Sequence, residues 1–205
     1  MNAALSEFSP VFPIESLRLY NADGHGYGLF PADGQALQVW RELREVEKGS
    51  LLINSYENLL AGSSPDPLGY FTTLLAIVQS ERNQLLLELA LTQMTFVYQS
   101  LLSREQRDKQ TVSLEDALWG TMLAQQDRSL ARLFFKAFAG LASSEPAVAK
   151  VHEVWMKDGK LHGLSLAEEE LISLAEILAI RLPEEAQDII ARQLGNTQNP
   201  DRARR

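Results

Sequence analysis

The sequence predicts a mainly α fold, an α-solenoid of short stacked helices preceded by a short β-hairpin. Three observations predict it. Beyond about residue 34, apolar residues recur at helical spacing. Leu130, Leu133, Phe134, Ala137, Phe138 and Leu141 fall at i, i+3, i+4, i+7, i+8 and i+11, one core-facing helix face. Helix start and stop signals return roughly every 14 to 20 residues, so tight turns join short helices into antiparallel hairpins that stack. Near the start, Asn21 through Gly28 reads as a tight turn between two short apolar stretches. No residue-level repeat accompanies the spacing, and a closed bundle is the alternative arrangement.

Phe8, Pro10, Phe12 and Pro13 punctuate an extended lead-in over residues 1 to 13. Ile14 to Tyr20 alternates apolar and polar positions, as a half-buried strand does. Asn21 to Gly24 supplies turn chemistry, and His25 to Phe30 is expected to return as the second strand. A lone two-stranded hairpin is marginal in water. It is therefore expected to be the remnant of a sheet that the chain does not contain. Residues 1–33 form this lead-in and hairpin. Residues 34–205 form the helical part, which is expected to be truncated at its end.

Each helix has its own signal. Gln35 to Lys48 is followed by Gly49, a residue suited to the position after a helix end, and Ser50 is placed to cap the next helix, to Ala61. Asp66 and Pro67 pair a cap with proline at the first helical position, ahead of Leu68, Phe71, Leu75 and Val78. A longer helix is expected from about Arg82 to Leu102. Residues 103–112 read as a polar connection, with Ser113 and Asp116 opening the next helix at Leu114, Leu118 and Met122. Asp127 caps the periodic helix described above. Glu145-Pro146 opens another through Trp155. Ser165 and Glu168 form a capping box before Leu171, Leu174 and Leu178, and Pro183 starts the last helix, stopped by Gly195.

Composition excludes several function classes. The formal net charge of −8 argues against a broad nucleic-acid surface, which needs clustered Lys and Arg. The one basic cluster, Arg202, Arg204 and Arg205, reads as a terminal tail. The absence of cysteine removes disulfides, thiolate nucleophiles and Cys-ligated zinc. The start, Met1 to Glu7, has neither the basic region nor the apolar run of a signal peptide. Leu85 to Leu102 is apolar but carries Glu88, Gln93 and Gln99, too polar for a membrane span. The expectation is a soluble protein whose compartment, cytoplasmic or periplasmic, stays open, with no nucleic acid and no membrane span.

No catalytic set is complete. His152-Glu153-Val154-Trp155-Met156 begins as the zinc-hydrolase pattern His-Glu-x-x-His, but position 156 is Met. His162 lies ten residues beyond His152, and His25 stands alone. No Gly-x-Ser-x-Gly elbow occurs, and Gly24-His25-Gly26-Tyr27-Gly28 lacks the Lys-Ser/Thr ending of a phosphate loop. Glu168-Glu169-Glu170 and Glu184-Glu185 sit in predicted first helical turns, where carboxylates complement the helix dipole. Trp40, Trp119, Trp155, Phe134, Phe135 and Phe138 read as packing residues. Catalytic, cofactor and metal residues are all assigned as none, and peptide-contacting residues stay open.

Three segments carry a family likeness. Asn21-Ala22-Asp23-Gly24-His25-Gly26-Tyr27-Gly28 resembles the segment that ends the β-sandwich domain of zinc aminopeptidases of the aminopeptidase N type, the group that includes the endoplasmic-reticulum aminopeptidases. Leu130 to Ala137 resembles a helix of that family's C-terminal domain, and Asn199-Pro200-Asp201-Arg202 resembles a motif farther along it. The likeness runs from about residue 14 to 202. It departs after Tyr27, where Gly28-Leu29 replaces the family's aromatic and arginine. The resemblance implies a β-sandwich remnant followed by HEAT-like helical hairpins. The family's zinc motif, its glutamate ligand and its tyrosine belong to a domain this chain does not contain, so zinc is expected in the parent's catalytic domain only.

The function expected from this resemblance is a non-catalytic C-terminal domain of a zinc-dependent aminopeptidase. It would cover the active-site chamber and contribute to peptide access. Its expected partners are the parent catalytic domain, a peptide, and a second copy through the truncated helical end. The alternative is a stand-alone helical-repeat scaffold that binds peptides or a protein partner.

Overall fold

The computed structural model describes residues 18–32, 34–63, 66–199 and 201. The described chain is mainly helical. It divides into two compact units, Met1–Leu102 and Ser103–Arg205.

The first unit begins with the turn at Asn21. The Gly24 N–H donates to the Asn21 carbonyl (2.9 Å), with Asn21 and Gly24 both at positive φ. The expected strand at Ile14–Tyr20 lies partly outside the described residues, and the expected return strand does not form: residues 18–32 contain no strand. The physical reason is that their backbone groups are used otherwise, by the Asn21 side chain and by a helix, as described below.

A 3₁₀ helix (Gly34–Glu42) leads into α1 (Glu45–Leu60). Gly49 therefore does not stop a helix, and Ser50 caps none; both lie inside α1. The start is set at Arg44, whose N–H is accepted by Glu47 (2.8 Å), and that carboxylate also receives the Arg44 guanidinium. Gly49 packs beside Leu86, whose side chain lies 3.7 Å from where a Cβ would stand. Then follow α2 (Pro67–Ser80) and α3 (Gln84–Phe96), which widens into a π turn over Val97–Leu101. Asp66 accepts the Gly69 N–H (2.8 Å), and Asn83 accepts those of Leu85 and Leu86, each satisfying first-turn donors. α3 packs on both α1 and α2 around fully buried Leu52, Phe71, Leu74, Leu87 and Met94.

The second unit opens with α4 (Arg104–Ala124). The segment 103–112, expected as a connection, is its first half. Ser103 accepts the Gln106 N–H (3.2 Å) while the Gln106 side chain accepts the Ser103 N–H (2.9 Å), a reciprocal capping box. α5 (Arg128–Leu141) is capped by Asp127 and packs lengthwise on α4, with Phe134 and Phe138 fully buried. α6 (Glu145–Met156) is capped by Ser144.

Its end is a tight turn. The Gly159 N–H returns to the Val154 carbonyl (3.0 Å), with Asp158 and Gly159 at positive φ. A two-residue-stranded hairpin follows, β1 (Lys160–Leu161) antiparallel to β2 (Leu164–Ser165), turned through His162 and Gly163. This is the β-ladder of the described chain, and it lies where no strand is expected from the residues. α7 (Glu168–Arg181) then starts after Ala167, two residues beyond the expected Ser165 cap, because Ser165 is spent in β2 and Glu170 reaches back to the Ala167 N–H (2.7 Å). A 3₁₀ turn (Pro183–Glu185) leads to α8 (Ala186–Asn196), which ends one residue past Gly195. In this unit each helix packs on the next one in the chain.

Candidate functional site

The first candidate is one face of α1. Ser50, Asn54 and Asn58 recur every fourth residue, so they share a single stripe. All three are buried. The Ser50 hydroxyl donates to the Ala22 carbonyl (3.3 Å), the Asn54 amide to the Tyr20 carbonyl (2.9 Å), and the Asn58 amide to the Phe30 carbonyl. Three helix side chains thus hold a turned, strand-free segment by its main chain. The segment's own large side chains do the opposite: Tyr20 and Leu29 are about half exposed and Tyr27 is fully so. A face built of donors to carbonyls reads backbone and leaves side-chain identity free.

The segment is shaped for that seat. The Asn21 side chain accepts the Gly26 N–H (2.7 Å) and donates to the Gly26 carbonyl (3.2 Å). A Cβ on Gly26 would stand 2.5 Å from the Phe30 ring edge, so glycine permits the close approach.

The second candidate is a cleft of about 270 Å³ in the second unit. It lies between the turn after α6, the start of α7 and the end of α8. Its charged lining is Asp158, Glu168 and Arg192, and Asn196, Gln198 and Trp155 line it as well. Buried Trp155 is fixed from two sides: its indole N–H donates to Gln193 (2.8 Å), and the Arg192 guanidinium sits 5.4 Å from the ring centre. Glu168 accepts the Gln198 N–H (2.8 Å).

Two buried carboxylates have a structural task. Glu81 lies between α2 and α3 and accepts from Arg82 N–H (2.7 Å), Asn83 N–H (2.8 Å), the Trp40 indole (2.9 Å) and Lys48 (3.1 Å). Burial pushes its pKa up, and the Asn83 and Arg82 amides with Lys48 outweigh that, leaving the carboxyl below the ordinary glutamate range. Glu115 on α4 accepts the N–H groups of Ser143 (2.8 Å) and Ser144 (3.0 Å) and both their hydroxyls, closing the α5–α6 turn.

The residues weighed from sequence are not brought together. His25 and His162 are exposed, and His152 stacks by Trp155 at 5.8 Å. Glu153, second in the half-motif, pairs with Lys157, whose hydrogen bond and charge hold its carboxyl low. Among the described residues, no three His, Asp or Glu side chains form a group able to hold a metal. Glu170 in the α7 first turn pairs with Arg132 of α5, which also donates to the Ser165 carbonyl (2.9 Å). Trp40, Trp155, Phe134, Phe135 and Phe138 are buried and Trp119 half-buried against Phe138 (4.9 Å). Arg202, Arg204 and Arg205 lie outside the described residues.

Sequence reasoning missed the α1 donor stripe, both buried carboxylates and the cleft. Only the first had a signal: polar residues at helical spacing inside one helix. Among the described residues no helix is long and apolar enough to cross a membrane. Compared with known protein families, curated proteins and solved structures, the chain gives no match.

Proposed function

We propose that the chain is a non-catalytic helical domain of a zinc-dependent aminopeptidase, covering the active-site chamber and limiting peptide access. The observation that carries this reading is the seating of residues 20–30. Their carbonyls are fastened to α1 while Tyr20, Tyr27 and Leu29 are left exposed. That is the arrangement of a junction segment whose side chains meet another part of a larger protein, and Asn21–Gly28 is the segment that resembles the family's domain border. The second likeness, Leu130–Ala137, contains Arg132, which fastens α5 to the start of α7. The packing of each helix on its neighbour in the second unit supports an α-solenoid of HEAT-like hairpins. Zinc in this reading belongs to the parent's catalytic domain, and no residue of this chain is assigned to it.

A second reading is a stand-alone scaffold that binds a peptide or a protein partner, which would meet the side chains of Tyr20, Tyr27 and Leu29 that the α1 seat leaves exposed. One assay tests the non-catalytic claim. With zinc supplied, the purified chain should not hydrolyse leucine or alanine p-nitroanilide above the blank. Hydrolysis that a chelator abolishes would overturn it.

A further inference from the structure

We propose that the cleft between the α6 turn, the start of α7 and the end of α8 binds a small zwitterion of the free amino-acid or dipeptide class. This does not rest on the peptidase reading. Asp158 and Arg192 line one space of about 270 Å³ yet form no ion pair with each other, or with any other described residue. Opposite charges left apart across a small cleft suit a ligand that carries both signs. Its ammonium would lie at Asp158, with Glu168 adding negative potential. Its carboxylate would meet the guanidinium of Arg192, whose fork matches that geometry. Arg192 is already aligned over the Trp155 ring, and Trp155 is held by Gln193, so the cation is positioned before any ligand arrives. Asn196 and Gln198 supply amides for a peptide bond. The volume suits a dipeptide and is at the lower limit of ordinary ligand pockets, roughly 300 Å³. Asp158 occupies a positive-φ position on the turn that lines the cleft, and it is exposed, with no ion pair to another described residue.

Calorimetric titration of the full chain tests this with four probes: leucine, leucylglycine, N-acetyl-leucine and leucinamide. The expected result is saturable one-to-one binding of leucine or leucylglycine, with both capped probes at least tenfold weaker. Arg192→Gln should weaken the zwitterions at least tenfold and leave leucinamide unchanged. Asp158→Asn keeps a residue suited to positive φ; it should weaken the zwitterions and leave N-acetyl-leucine unchanged. Far-ultraviolet circular dichroism checks that both variants fold. No saturable binding at millimolar probe, equal binding of capped and free probes, or affinities indifferent to both substitutions would overturn the proposal.

Discussion

The side-chain amide of Asn21 clasps Gly26 from both sides, accepting its N–H at 2.7 Å and donating to its carbonyl at 3.2 Å. Asn21 itself stands at φ 52°, which Asn tolerates better than Ala does. Asn21→Ala should therefore remove two hydrogen bonds and add backbone strain, about 1–2 kcal/mol of local stability. Asn21→Asp keeps the acceptor. Amide exchange at Gly26 should quicken strongly in Asn21→Ala and little in Asn21→Asp, with the core amides of α2 and α3 unchanged in both.

Glu81 makes the stability of the first unit pH-dependent. Its folded carboxyl titrates below its unfolded value, so the folded state disfavours the added proton. Its contribution is full above the unfolded value, about pH 4.3, and is lost as pH falls through the folded value. Glu81→Gln removes the charge that Lys48 and the two amides hold, at a cost of about 1–3 kcal/mol. The urea midpoints of wild type and variant should differ at pH 7 and converge as pH falls through the depressed folded value of Glu81.

Glu115 is 4% exposed and gathers four donors from Ser143 and Ser144. Glu115→Ala strands those donors at the α5–α6 turn and should cost about 2–4 kcal/mol. Glu115→Gln keeps one acceptor and should cost less. Urea unfolding monitored by tryptophan fluorescence reads the order.

Gly159 has φ 72°, and a Cβ there would stand 2.6 Å from the Leu166 Cβ. Leu166 is buried, so neither partner moves freely. Gly159→Ala should destabilise by roughly 2–4 kcal/mol through strain and overpacking together. Gly163, also at positive φ but with open space around it, should cost only the backbone strain when changed to Ala, about 1–2 kcal/mol. Thermal midpoints of the two variants compare these directly.

Helices announced by a local cap were legible in the sequence. Asp66-Pro67 and Asp127 bond amides two or three residues away, so the signal and its effect share one window. α4 was misread because none of residues 104 to 113 is buried. With no apolar stripe to show, only the Ser103–Gln106 box marked its start. The segment 20–30 was misread for a longer-range reason. Its carbonyls are taken by Ser50, Asn54 and Asn58, some 28 to 34 residues on, and no local pattern records that. The cleft joins residues 155 to 198 across three elements, which also places it beyond any motif.

The reading frame that precedes the codon for Met1 tests the central claim most directly. Sequencing that DNA should find, continuous with this chain or immediately before it, a domain carrying His-Glu-x-x-His and a downstream glutamate. An upstream region with no peptidase domain would contradict the aminopeptidase assignment and leave the peptide-binding scaffold as the account of this fold.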